Sequence, residues 1–211
     1  MKAWLLPVVP LLLLSACDVD INDLECDERR SYERIVGVGS TLETYVASDA
    51  GDVRVIGRSG INDVRVTGRG CARSRHDLNE MELVAQRMDG YVRVLALVPR
   101  GGNRARLDIT VEVPDWMLVE VEGQNGDIEV EEVSGAIVIG EWGDIDVRDV
   151  FGDVEIEDGP GHIDVRRVDG DVWIWDGSGN IYVHDVLGDL NVQEDSSGRL
   201  EYSNIRGVVR R

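Results

Sequence analysis

Lysine is all but missing from this chain: Lys2 is the only one among 22 basic residues, which face 41 acidic ones. The formal net charge of −19 excludes charge-driven attachment to nucleic acid or to anionic lipid. Aromatics are scarce as well, at 5% with a single phenylalanine, so small β-branched side chains must fill most of any interior. His76, His162 and His184 are too scattered to ligate a metal together, and no serine or cysteine stands beside them in a nucleophile motif. Glycines are plentiful but spaced by about nine residues, which excludes the clustered glycines of a phosphate-binding loop. No metal, no cofactor and no catalytic residues are expected.

What the chain has is repetition. From Gly126 onward it reads glycine, polar, apolar, polar, apolar, as in GDIEVEEVS, GDIDVRDVF, GDVEIEDGP, GHIDVRRVD, GDVWIWDGS and GNIYVHDVL. Units beginning at Gly126, Gly143, Gly161, Gly179 and Gly198 add a third apolar residue seven places on, namely Val133, Val150, Val168, Val186 and Ile205, whereas the units at Gly152 and Gly170 put Gly159 and Gly177 there and those at Gly135 and Gly188 put Trp142 and Asp195. The full period is therefore about eighteen residues, and it predicts an all-β parallel β-solenoid, or β-helix, with two strands and two turns per coil. Alternation turns Ile145, Val147, Val154, Ile156, Ile163, Val165, Val172, Ile174, Ile181, Val183, Leu190 and Val192 inward. One coil offers about five such aliphatics, each worth roughly 2 kcal/mol on burial, against roughly 1 to 2 kcal/mol of ordering per residue. A lone coil should not fold; stacking is required.

Ahead of the repeats, Lys2, the apolar run Ala3 to Leu14 and the sequence Leu14-Ser15-Ala16-Cys17 read as a secretory signal ending in small residues before a cysteine. That ending resembles the bacterial lipobox, which implies that Cys17 is the lipidated first residue of the mature protein. Asp18 directly after it resembles the signal that retains lipoproteins in the inner membrane of enteric bacteria. Cys26 and Cys71 remain and could pair in an oxidising compartment, with free buried thiols as the alternative. The chain thus divides into a signal peptide at 1–16, an acidic tether at 17–34, an N-terminal β region at 35–117 and regular coils at 118–211. Within the β region, residues 73–87 suit either a helical turn or a strand with a loop.

The GDVRV opening at Gly51, the strand ending in Val113-Pro114 and the Gly-Asp-Ile/Val-x-Val ladder together resemble the bacterial putative-adhesin family of unknown function, over roughly residues 35–207. That resemblance implies a secreted or lipid-anchored β-solenoid and an adhesin-like role. It brings no catalytic residues with it.

Outward positions carry the candidate site. Stacking by the coil period sets Val138 and Gly140, Glu155 and Glu157, Trp173 and Trp175, then Asn191 and Gln193 on one face. Trp173 and Trp175, about 7 Å apart along a strand, form a flat platform suited to a sugar ring or a protein partner, or else serve only to cover neighbouring stems. Glu155 and Glu157 beside them admit a glycosidase reading, although nothing separates the environments of the two carboxyls. Asp153, Asp171 and Asp189 stack in a turn column, where capping of turn amides is the commoner role and calcium the alternative.

These observations lead to a non-catalytic binding or scaffolding module held at the bacterial envelope by an N-terminal lipid and facing the periplasm. Its expected partners are the membrane through that lipid, an envelope protein or glycan, and further copies of itself end to end. A polysaccharide-active β-helix enzyme and an accessory to envelope stress signalling are the alternatives.

Overall fold

The computed structural model describes residues 26–100, 105–194 and 198–211. The signal peptide, Cys17 and the start of the tether lie outside the described residues. The first half holds β1 (Glu28–Gly37), β2 (Glu43–Ser48), β3 (Val53–Arg58), β4 (Asp63–Ala72), α1 (Arg75–Glu80), β5 (Glu82–Arg87), β6 (Tyr91–Leu97), β7 (Ala105–Pro114) and β8 (Leu118–Gly123). The second half is strand throughout: β9 (Ile128–Glu131), β10 (Gly135–Gly140), β11 (Ile145–Val150), β12 (Val154–Pro160), β13 (Ile163–Val168), β14 (Val172–Ser178), β15 (Ile181–Val186), β16 (Leu190–Glu194), β17 (Leu200–Ile205) and β18 (Val209–Arg210).

The protein is all-β, built from two long mixed sheets. The first has the order β1-β4-β7-β3-β9-β11-β13-β15-β17 and the second β18-β16-β14-β12-β10-β8-β2-β6-β5. From β9 onward the chain alternates between the sheets, and every strand lies parallel to its neighbours. Ile128 pairs with Ile145, Ile145 with Ile163, Ile163 with Ile181 and Ile181 with Leu200, so successive steps are 17, 18, 18 and 19 residues. Identical side chains therefore fall one over another, and Ile145, Ile163 and Ile181 are at most 2% exposed within a single continuous apolar cluster. Every one of the twelve predicted inward aliphatics is buried.

The third apolar residue has a backbone cause. Glu132, Asp149, Arg167, Asp185 and Asn204 all adopt φ between 57° and 62°. A left-handed residue at this corner re-aims the chain, so that Val147 and Val150, three apart, both point inward. Left-handed geometry costs a non-glycine residue roughly 1–2 kcal/mol. Some of that cost is offset along the column: Arg167 grips both oxygens of Asp149 at 2.5 and 2.7 Å, and Asn204 Nδ2 donates to Asp185 Oδ1 at 2.8 Å.

Turn residues form two further columns. Asp144 N–H donates to Asp127 Oδ1, His162 N–H to Asp144 Oδ1, Asn180 N–H to His162 Nδ1 and Arg199 N–H to Asn180 Oδ1, at 2.9–3.2 Å. The His162 ring can accept there only in its neutral form. On the opposite edge Asp153 Oδ1 receives Asp171 N–H, Asp171 Oδ1 receives Asp189 N–H and Asp189 Oδ1 receives Val208 N–H, at 2.7–2.9 Å. The stacked aspartates thus cap the turn amides of the next repeat.

Two features differ from the sequence reading, and a third settles what it left open. A strand begins at Glu28, inside the expected tether, because β1 pairs antiparallel with β4 from Glu28↔Ala72 to Gly37↔Asp63. Residues 75–80 form a helix, started by Ser74, whose Oγ accepts the Asp77 N–H at 3.1 Å. Finally, β10 is one residue out of the expected register: Ala136 pairs with Val154 and Val138 with Ile156, so Val138 is fully buried while Ile137 and Ile139 face outward. The reason lies at Gly140, which turns inward; a Cβ there would come within 2.8 Å of Asp158 Oδ1 and 3.1 Å of Ile145 Cδ1.

Candidate functional site

The parallel register of β12, β14 and β16 aligns Glu155 with Trp173 and Asn191, and Glu157 with Trp175 and Gln193. All six belong to the outward face of the second sheet, since Val172 and Ile174 occupy the inward places between the indoles at 1% exposure or less. Trp175 is 37% exposed and Trp173 half-buried, whereas Glu155 and Glu157 are exposed. Neighbouring strands lie about 4.8 Å apart, so the acidic pair forms a row directly beside the aromatic pair. The expected neighbours Val138 and Gly140 are replaced there by Ile137 and Ile139, which adds an apolar row on the far side of the glutamates.

Cys26 and Cys71 form a disulfide with Cα atoms 5.3 Å apart, closing a separation of 45 residues. It fastens the start of β1 to the end of β4.

Two features escaped the sequence. The first is a pair of acids inside the core. Asp158 and Asp176 continue the inward series of β12 and β14 after Ile156 and Ile174, and they are only 6% and 5% exposed. Neither oxygen of Asp158 makes a hydrogen bond of ordinary geometry. Burial foremost, and then the negative charges of Asp176 and Asp144, push its carboxyl up to about 6, against a smaller opposing effect of the Gly159 amide. The available signal was alternation itself, because the aspartates sit two places after the inward isoleucines.

The second is an open groove of about 930 Å³ across β1, β4, β7, β3 and β9, on the outward side of the first sheet. At its β9 side Arg54 and Arg148 both hold Glu129 and Glu131, at 2.5–3.1 Å, and Arg54 and Glu129 themselves line the groove. Burial alone would raise Glu131, but the hydrogen bonds from Arg54 and Arg148 outweigh it and leave the carboxyl below its ordinary range. No run of sequence announces this groove, since its residues come from five separate strands.

Among the described residues, no group of three or more histidine, cysteine or acidic side chains is arranged to hold a metal ion. No described helix is long and apolar enough to cross a membrane.

No family profile and no curated protein matches the chain. Among solved structures it is similar to one described as a "putative cell adhesion protein" from Clostridium sporogenes, at 11% identity and a TM-score of 0.42, over 87% of this chain and 99% of that one. A "putative adhesin" from Bacteroides fragilis aligns at 13% identity and a TM-score of 0.31, over 86% and 96% of the two chains. A "putative lipid binding protein" from Parabacteroides distasonis aligns at 13% identity and a TM-score of 0.37, over 85% and 96%.

Proposed function

We propose that the protein is a lipid-anchored bacterial envelope protein whose two sheets wind as a parallel β-solenoid of about eighteen residues per coil, serving as a non-catalytic binding or scaffolding module. The observation that carries this reading is the outward row of Trp173 and Trp175 next to Glu155 and Glu157. Inward positions are occupied by aliphatic packing, so recognition falls to outward rows, and this row pairs an exposed indole with a half-buried one where the fold requires neither. Exposed aromatic surface rimmed by polar groups is characteristic of interaction sites.

Anchoring follows the lipobox reading, in which Cys17 carries the lipid. The adhesin and lipid-binding descriptions of the similar structures agree with an envelope setting but do not name a ligand for this chain.

The test has two arms. Cells expressing Cys17→Ser should release the protein from the membrane fraction into the soluble envelope fraction, while wild type stays with the membrane. The purified protein, coated on beads, should adhere to envelope glycan or intact cells, and Trp173→Ala with Trp175→Ala should lower adherence about tenfold while the far-ultraviolet spectrum stays unchanged. Equal adherence by the double variant would remove the platform from the proposal.

A further inference from the structure

The groove on the first sheet is a grid. Antiparallel pairing sets Ser31 opposite Arg69 and Arg69 opposite Asp108, and the parallel pairing of β3 with β7 and β9 continues that row to Asp52 and Asp127. Two residues along, Glu33, Thr67, Thr110, Arg54 and Glu129 make a second row in the same way. Five strands at about 4.8 Å give each row a length of roughly 19 Å, and the rows lie about 7 Å apart.

The chemistry of the grid selects its ligand. Every side chain in the two rows is polar, so an apolar ligand gains nothing. Two arginines stand against five carboxylates, which disfavours an anion. An extended peptide is unsuited as well, because it binds by adding to a sheet edge, and of the five strands under the groove all but β1 are inner strands whose main-chain groups are already paired. A cation is disfavoured too, because four of the five carboxylates are already engaged within the protein: Asp108, Asp52 and Asp127 accept the backbone amides of Asp52, Asp127 and Asp144, and Glu129 is held by Arg54 and Arg148. What remains is a ligand that donates and accepts at short intervals along a line. Thr67 and Thr110, directly opposite each other, can do both; Arg69 donates and Asp108 opposite it accepts. Burial raises the Asp108 carboxyl above its usual range against the opposing pull of the Asp52 amide and Arg106, as befits an acceptor shielded from water.

From this arrangement we infer that the groove across β1, β4, β7, β3 and β9 is a binding site for a neutral oligosaccharide, with Arg69, Asp108, Thr67 and Thr110 as its hydrogen-bonding centre. This site goes beyond the tryptophan platform and does not rest on it: the two occupy different sheets and share no residue.

The experiment is calorimetric titration of the purified protein with purified neutral hexasaccharides of the glucan, mannan, galactan and xylan types, alongside a cationic chitosan oligomer and an anionic oligogalacturonate. At least one neutral sugar should bind saturably and more tightly than the anionic one. Arg69→Ala and Asp108→Asn should each weaken it by about tenfold, and Thr110→Val by a few-fold. Thermal melting verifies that each outward-facing variant remains folded, and Thr110→Val, nearly isosteric, keeps the test decisive if a charge variant does not. Trp173→Ala with Trp175→Ala should leave this binding intact, so loss of the platform and loss of the groove are told apart. Absence of binding across the neutral sugars, preference for the anionic or the cationic oligomer, or affinity indifferent to Arg69, Asp108 and Thr110 would overturn the assignment.

Discussion

The two halves of the molecule share both sheets but are held together differently. From β9 onward the same pattern recurs from one repeat to the next, so one physical solution is reused: isoleucine on isoleucine, aspartate capping the next amide, a left-handed corner every repeat. In the N-terminal half, β2, β3, β6 and β7 occupy the same sheets, but β2 lies between β6 and β8 and β3 between β7 and β9, out of chain order. Antiparallel β1, β4 and β5 close that end, and the disulfide secures it. Repetition supplies cohesion where the chain is uniform; single-copy devices supply it where the chain is not.

The sharpest way to break this comparison is to disturb the stack at its closest approach. A Cβ on Gly179 would lie 1.5 Å from the Gly161 carbonyl oxygen, so Gly179→Ala must push adjacent repeats away from each other and should cost more than about 4 kcal/mol. Gly37→Ala, where a Cβ meets nothing within 4 Å, should stay within about 0.5 kcal/mol. Denaturant melts of the two variants measure the contrast.

Next in size is the single-copy clasp. Cys71→Ser should lower stability by about 2–4 kcal/mol and expose β1 to limited proteolysis while the repeats from β9 onward stay protected. If protection is lost equally in both halves, the division between them is wrong.

A third effect is pH dependence from inside the repeats. Asp158 has a folded value of about 6 against an ordinary 3.8, so between these values the folded state holds a proton that the unfolded state has lost. Stability from this group therefore falls as pH rises through that window and is recovered on acidification, by up to about 3 kcal/mol. Glu131 acts in the opposite sense: its lowered carboxyl contributes stability above the ordinary glutamate range and loses it as pH falls. Asp158→Asn should flatten the gain between pH 6 and pH 4 and raise the melting temperature at pH 7.

The smallest effect expected is at the surface. Arg167→Ala removes the pair with Asp149 and should cost about 0.3–1 kcal/mol, less at high salt.

The same contrast explains what the sequence disclosed. Inward residues such as Ile145, Ile163 and Ile181 repeat often enough that their burial follows from spacing alone. The slip at β10 escaped because Gly135 mimics the first glycine of a unit, while the glycine that matters, Gly140, makes room for a carboxylate in the next repeat. The strand at Glu28 escaped because its partner, β4, lies far along the chain and neither segment recurs. The tryptophans were legible as outward residues, since Val172 and Ile174 fill the inward places. The groove was not, because Ser31, Arg69, Asp108, Asp52 and Asp127 become a row only after five strands have paired.

The turn columns carry one last implication. From Asp127 onward, each capping side chain receives an amide from the repeat that follows it in the chain, never from the one before. A polypeptide emerging amino end first would meet ready-made docking points for each new layer, and a layer gained or lost by gene duplication would need no contact of a new kind.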